Sequence, residues 1–348
     1  MKKIQISALV AIILISAASA GLCEDMIGDT YFKKGNTCYK EQKYDQAADY
    51  YQQAVDINPE HLGAMYNLAL AYQMRGLYGK AEEYFKKSLA LDATYLPAWV
   101  GLGLINTRQG RYDDAIAAYK EALKFEKDYY IAHLNLAAVY AKKKMYKEAV
   151  EESKTALNIN PREINGHLLL GNIYNVNKEY DKAIEEYEWI LKIEPKFFLA
   201  QLHISTAYAE KGDFEKALQH IQMARQLTDK AEFIHYFLGR MYVRQYEKTK
   251  DPASLDKAIA ELNQSVKFSE QLLEVFIDLG KAYELKNDTV KALRAYRRYV
   301  DNPLAQEEQK QEVARIIAGL RERMMNENIS PKLPVAADIK DAKKKQGN

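Results

Sequence analysis

The sequence predicts an all-α fold in which helix–turn–helix repeats of 34 residues stack into one array. Three recurrences predict it. Tyr44, Tyr78, Tyr112, Tyr146 and Tyr180 follow one another at that interval, with Phe214 next. An alanine stands three residues after each, from Ala47 through Ala81, Ala115, Ala149 and Ala183 to Ala217; Ala258 and Ala292 continue the column after one insertion. A third column holds only small residues: Gly35, Ala69, Gly103, Ala137, Gly171, Ser205, Gly239 and Gly280. A fixed period of this length is the signature of a solenoid.

Each element follows from helix packing. With the first residue of a repeat as position 1, the small column is position 8. Large residues at positions 7 and 11, such as Leu68 with Tyr72 or Leu136 with Tyr140, join position 4 in one helical face. A second helix carries Ala at position 20, an aromatic such as Tyr51, Phe85, Tyr119 or Tyr187 at 24, and usually a small residue at 27. Small residues let two backbones approach, and the aromatics fill the flanks. Neither helix buries its stripe alone, so each pair must stack on the next.

The stretch Trp99-x2-Leu102-Gly103 … Gly110-x-Tyr112-x2-Ala115-x3-Tyr119-x2-Ala122 resembles the tetratricopeptide-repeat (TPR) consensus. Pro59, Pro161 and Pro195 match the proline that closes the family's second helix. The resemblance implies a right-handed α-solenoid of about eight TPR units. Its repeats read 28–61, 62–95, 96–129, 130–163, 164–197, 198–231, 232–272 and 273–306. The seventh is seven residues longer than the rest. The extra residues are expected between its helices, around Tyr246 to Leu255, with Asp251-Pro252 as turn and helix start. Beyond the array, Val313, Ile316, Ile317, Leu320 and Met324 share one face of a capping helix over 307–328. Residues 329–348 read as a disordered tail.

The N-terminus reads as a targeting signal over 1–20, followed by a linker over 21–27. Lys2 and Lys3 precede an apolar run, and small residues lead to cleavage between Ala20 and Gly21. The run is shorter than the ~20 residues of a spanning helix. The expected location is the periplasm or beyond; the alternative is a membrane-anchored form facing the periplasm, through a retained signal or a lipid on Cys23. Leu22 disfavours the lipid, because a lipobox needs a small residue there. In an oxidising compartment Cys23 and Cys38 could form a disulfide; alternatively Cys38 is a small buried hydrophobe and Cys23 sits in a tail.

Composition excludes several functions. The formal net charge is +2, from 50 Lys+Arg against 48 Asp+Glu, without the clustered positive charge of a nucleic-acid binder. No CxxC or CxxH pair supports a zinc site. His133, His167 and His235 all occupy position 4, where other repeats place Tyr31, Met65 or Trp99, and so read as packing residues. Stacked helices ~10 Å across would hold such imidazoles too far apart to share a metal. No catalytic constellation emerges, and neither an enzyme activity, a cofactor nor a metal is expected.

The candidate site is a peptide groove. Positions 2, 5, 9 and 12 of each first helix cluster away from the packing face, and these are the positions the TPR resemblance implies for ligand contact. The candidates are Phe32, Asn36 and Tyr39; Tyr66, Leu70 and Gln73; Val100, Leu104 and Thr107; Leu134 and Ala138; Leu168 and Asn172; Leu202 and Thr206. Across these positions in the first six repeats only Asp29 is charged, whereas 28% charged residues would place about seven there. Second helices carry solvated pairs instead, such as Glu82-Glu83, Asp113-Asp114, Glu151-Glu152 and Glu185-Glu186. An uncharged or apolar peptide or helical segment of another protein fits this stripe, provided neighbouring helices leave it open. The TPR clamp for a C-terminal carboxylate is not expected. Asn36 and Asn67 stand at its asparagine positions, but Phe32, Pro97 and Gly101 replace its cations. The expected role is a protein-interaction scaffold in the bacterial cell envelope. The alternative is an anchored subunit or assembly factor of an export, pilus or outer-membrane biogenesis machine.

Overall fold

A computed structural model describes residues 26–326, all in helices and short connections. Ala20, Gly21, Cys23 and the tail over 329–348 lie outside the described residues, and with them the signal, cleavage and disulfide expectations. Among the described residues no helix is long and apolar enough to cross a membrane.

The chain forms two compact blocks that divide after Pro161. The N-terminal block contains α1 (26–40), α2 (Tyr44–Ile57), α3 (Leu62–Met74), α4 (Tyr78–Leu91), α5 (Leu96–Arg108), α6 (Tyr112–Phe125), α7 (Tyr130–Lys142) and α8 (Tyr146–Ile159). These pair as four hairpins, and helix already covers 26–27, inside the expected linker. The C-terminal block contains α9 (Ile164–Val176), α10 (Tyr180–Ile193), α11 (Phe198–Lys211), α12 (Phe214–Leu227), α13 (Ala231–Thr249), α14 (Pro252–Phe268), α15 (Glu274–Leu285), α16 (Thr289–Val300) and α17 (Glu307–Asn326). Here α17 packs on α16 through Val313, Ile317, Leu320 and Met324, capping the last hairpin.

Outside the seventh repeat, the turn inside each hairpin is a Schellman motif. In the second repeat Leu77 N–H donates to Tyr72 O, and Gly76 N–H to Gln73 O. Position 15 is therefore left-handed, with Gly76 at φ 73° and Gly110 at φ 74°. Gln42, Lys144, Lys178 and Asn287 adopt the same conformation without being glycine, at φ between 60° and 64°.

In the seventh repeat the extra residues do not form a long connection. They lengthen α13 to 19 residues and α14 to 17, leaving only Lys250 and Asp251 between them. Nothing before Lys250 opposes helix, and the stop is at the turn itself. There Asp251 caps α14, accepting from the N–H groups of Ala253 and Ser254.

The core couples position 8 to position 24. Tyr51, Tyr119 and Tyr187 are almost wholly buried, each lying across a glycine of the preceding helix. A β-carbon added to Gly35, Gly103 or Gly171 would fall 2.6, 2.3 or 2.5 Å from the ring. Repeat 4, with Ala137 at position 8, has Ser153 at position 24 instead of an aromatic.

Candidate functional site

Within the N-terminal block the first helices of successive repeats touch, α3 with α5 and α5 with α7. Here α4, α6 and α8 pack on the first helix of their own repeats, and α2, α4 and α6 pack on the first helix of the next. First helices thus line the inner side of the block, and positions 2, 5, 9 and 12 form its inner face.

The position 8 glycines bring polar groups to that face. Tyr51 of α2 crosses under Gly35, and its hydroxyl donates to Asn36 Oδ1 of α1 at 2.8 Å. Asn67 Nδ2 of α3 donates to the same oxygen at 2.9 Å. Asn36 Nδ2 and Asn67 Oδ1 then have no partner among the described residues. A cavity of about 160 Å³ opens beside them, bordered by Asn36, Tyr39, Lys40, Tyr51, Asn67 and Leu70. It holds one side chain rather than a small molecule, whose pockets run to about 300–1,000 Å³. Two repeats on, the Tyr119 hydroxyl meets Thr107 across Gly103. An aromatic edge borders this face, with Phe32 against His61 at 4.7 Å and Tyr66 edge-on to Tyr95 at 5.5 Å. Burial pushes Tyr51, Tyr66 and Tyr119 up to about 12, so all three hydroxyls remain protonated donors at neutral pH.

The predicted residues divide by accessibility. In the N-terminal block Phe32, Asn36, Tyr39, Tyr66, Leu70, Leu104, Thr107, Leu134 and Ala138 are half-buried and present surface. Gln73 and Val100 are buried, 7% and 8% exposed. In the C-terminal block Leu168, Asn172 and Thr206 are half-buried, and Asn172 Oδ1 accepts from the Tyr187 hydroxyl at 2.8 Å. Leu202 is 0% exposed and belongs to that block's core. Cys38 is half-buried, with Gln46 Oε1 3.9 Å from its sulfur.

The position 4 histidines have partners that the sequence reading missed. His133 Nδ1 lies 2.6 Å from Glu152, His167 Nδ1 2.7 Å from Glu186, and His235 Nδ1 2.6 Å from Glu261. Each pair joins positions 4 and 23 of one hairpin. In the sixth repeat the pair is reversed, Gln201 facing His220. One carboxylate of each of the supposedly solvated pairs at 151–152 and 185–186 is thus engaged, as is Glu82, bound by Lys86 and Arg111. Among the described residues no three His, Cys, Asp or Glu side chains gather as a metal site would need.

The larger omission is in repeats 7 and 8. Continuing positions 9 and 13 into them reaches Arg240, Arg244 and Lys281, which line a cleft among α11, α13 and α15 with Glu210, Glu247 and Asp278. The neutral stripe does not extend there. The same register would have found Arg240 and Lys281 at position 9 had it been carried past the sixth repeat, whereas Arg244, at position 13, lies outside it.

Comparison with known proteins fits this geometry. The model of the middle TPR-like domain of cilia- and flagella-associated protein 70 matches residues 35–159, and a tetratricopeptide-repeat model matches residues 167–232. No curated protein matches the sequence significantly. Among solved structures, a TPR protein from Parabacteroides merdae is 13% identical with a TM-score of 0.61, covering 74% of this chain and 99% of its own. Yeast Tom70 is 16% identical with a TM-score of 0.61, over 90% of this chain and 67% of its own. Pseudomonas aeruginosa pilF is 21% identical with a TM-score of 0.51, over 59% of this chain and 93% of its own. At these identities the likeness is one of fold: both blocks are stacks of TPR-type hairpins.

Proposed function

We propose that this TPR-like repeat protein is a binding scaffold whose N-terminal block takes an uncharged, partly apolar segment of another protein along the inner face of its first helices. TPR-type stacks generally serve protein–protein interaction. The observation that carries the finer reading is the cavity beside Asn36 and Asn67. It combines one unpartnered amide donor and one unpartnered carbonyl acceptor with the aromatic and aliphatic walls of Tyr39 and Leu70. A peptide unit of a bound segment satisfies both amides while its side chain fills the cavity. Leu104, Thr107, Leu134 and Ala138 continue the surface along α5 and α7.

The setting is proposed to be the bacterial envelope, on the signal-like residues before Gly21. An intact mass beginning at Gly21 would support a released form and exclude both anchors. An anchored assembly factor of an export, pilus or outer-membrane machine is the alternative that a retained N-terminus would favour. The groove itself is tested by Leu104→Glu combined with Leu134→Glu. Partner capture from envelope extracts should be lost while helicity and melting temperature stay unchanged, and undiminished capture would sink the groove.

A further inference from the structure

The cleft in the C-terminal block has a different chemistry from the neutral stripe. Its volume is about 70 Å³, enough for one carboxylate or for two waters at about 30 Å³ each. Its cations differ in how far they are satisfied. Every Arg244 nitrogen donates, Nε and Nη2 to Glu210 and Nη1 to Glu247. Lys281 pairs with Glu247 at 2.6 Å. Arg240 has Asp278 as its ionic partner, at 3.7 Å, which is beyond hydrogen-bond distance. The Tyr236 hydroxyl stands between those two groups.

Arg240 is nevertheless held in place. Its guanidinium lies 5.5 Å from the Tyr236 ring and 5.9 Å from that of Phe237. Some 41% of its side-chain surface remains open. Aromatic faces fix a guanidinium plane without using its in-plane donors. A fork so positioned, with one donor on the Tyr236 hydroxyl and its nearest carboxylate too far to accept, keeps its other donors pre-organised for an anion that binds two at once. The other two carboxylates of the cleft, Glu210 and Glu247, are committed to Arg244 and Lys281.

We propose that this cleft receives the carboxylate of a Glu or Asp side chain carried by a partner segment. Arg240 is the fork, and Phe237, Met241 and Val243 form the apolar wall beside it. The proposal rests on the reading that inner first-helix faces bind partner segments, and it adds an acidic requirement in the C-terminal block.

The test uses the full chain with arginine labelled for NMR and two blocked tripeptides, acetyl-Leu-Glu-Leu-amide and acetyl-Leu-Gln-Leu-amide. The Arg240 Nε–H signal, assigned by its loss in Arg240→Lys, should shift with the Glu peptide at about fivefold lower concentration than with the Gln peptide. Added salt should weaken the Glu response and spare the Gln response. Acetate alone, lacking the apolar flanks, should need higher concentrations than the Glu peptide; parity would show a generic small-anion site and overturn the proposal. Equal responses to the two peptides, or none at Arg240, overturn it as well while leaving the groove of the N-terminal block to its own test. If Arg240→Lys impairs folding, the Nε–H signal is assigned in the wild-type protein through its side-chain connection to the Arg240 backbone amide, and the same titrations decide the matter.

Discussion

The ring of Tyr119 fills the space that a β-carbon on Gly103 would need, with Tyr119 Cε1 2.3 Å from where that carbon would stand. Tyr119 is 0% exposed and cannot swing aside into solvent. Gly103→Ala should therefore destabilise the N-terminal block by about 1–3 kcal/mol, the usual cost of overpacking. In a Tyr119→Ser background, which imitates the Ala137 and Ser153 combination of the fourth repeat, the same substitution should cost nearly nothing. Urea unfolding of the four proteins completes the cycle. Additive effects would show that the two positions are not in steric contact.

The left-handed residues at position 15 make a second prediction. Lys144 adopts φ 62°, a conformation that costs a residue with a β-carbon about 1–2 kcal/mol. Glycine avoids the clash but loses more chain entropy on folding. Lys144→Gly should therefore stabilise by about 0.5–1 kcal/mol, and Gly110→Ala, at φ 74°, should destabilise by a similar amount. Thermal melting with opposite shifts for the two variants checks both.

How much was legible in the sequence depends on which contacts have a period. The hairpin register, the cap built on Val313 and Leu320, and the Asp251 helix start all repeat or punctuate, and each was readable. Tyr119 and Gly103 also recur, yet their steric contact joins two columns, and reading columns singly does not show that a glycine at 8 accompanies the tyrosine at 24. The His133–Glu152 pair was missed for the same reason: its 19-residue spacing crosses from one helix to the next. The length of α13 was misjudged because seven additional residues looked like a loop, whereas Glu247, bonded to Arg244 and Lys281, continues the helix. Burial of Val100 and Leu202 was not readable at all. It depends on how closely successive first helices approach, which no single repeat encodes.

Acid should weaken the C-terminal block through His203. This imidazole is stacked on Tyr187 at 5.3 Å and edge-on to Phe237 at 5.9 Å. Burial, and secondarily the Arg240 charge, lowers it from 6.5 to about 4. Between those values the unfolded chain holds a proton that the folded chain refuses, so its contribution is present above pH 6.5 and lost as pH falls toward 4. His203→Gln should flatten that part of the stability profile, measured by urea midpoints between pH 7 and 4.5. An unchanged slope would remove His203 from the account.

His133 should act with the opposite sign. Its bond to Glu152 raises its pKa; burial opposes this, and the Lys127 carbonyl reinforces it. The stabilisation is complete below the unfolded value of about 6.5 and disappears as pH rises through the higher folded value. Glu152→Gln should cost about 1–2 kcal/mol at pH 6 and much less at pH 9. Melting temperatures at the two pH values separate this from a loss of packing, which would cost the same at both.

The junction of Tyr51, Asn36 and Asn67 supports a last prediction, because one oxygen there accepts two donors. Tyr51→Phe removes one of them and leaves Asn36 Oδ1 bonded to Asn67 Nδ2. No buried group is orphaned, so the cost should be about 0.5–1.5 kcal/mol. Asn36→Ala removes the acceptor of the Tyr51 hydroxyl proton, on a side chain only 1% exposed, and leaves that hydroxyl only the Asn67 amide, which should cost about 1–3 kcal/mol. In the double variant no hydroxyl remains to be orphaned, and the loss should be smaller than the sum of the two single losses. Urea midpoints with unchanged slopes provide the comparison. If Tyr51→Phe cost as much as Asn36→Ala and the two added, Asn36 would not be the acceptor that holds the Tyr51 hydroxyl, and the polar side of the cavity would have to be reassigned.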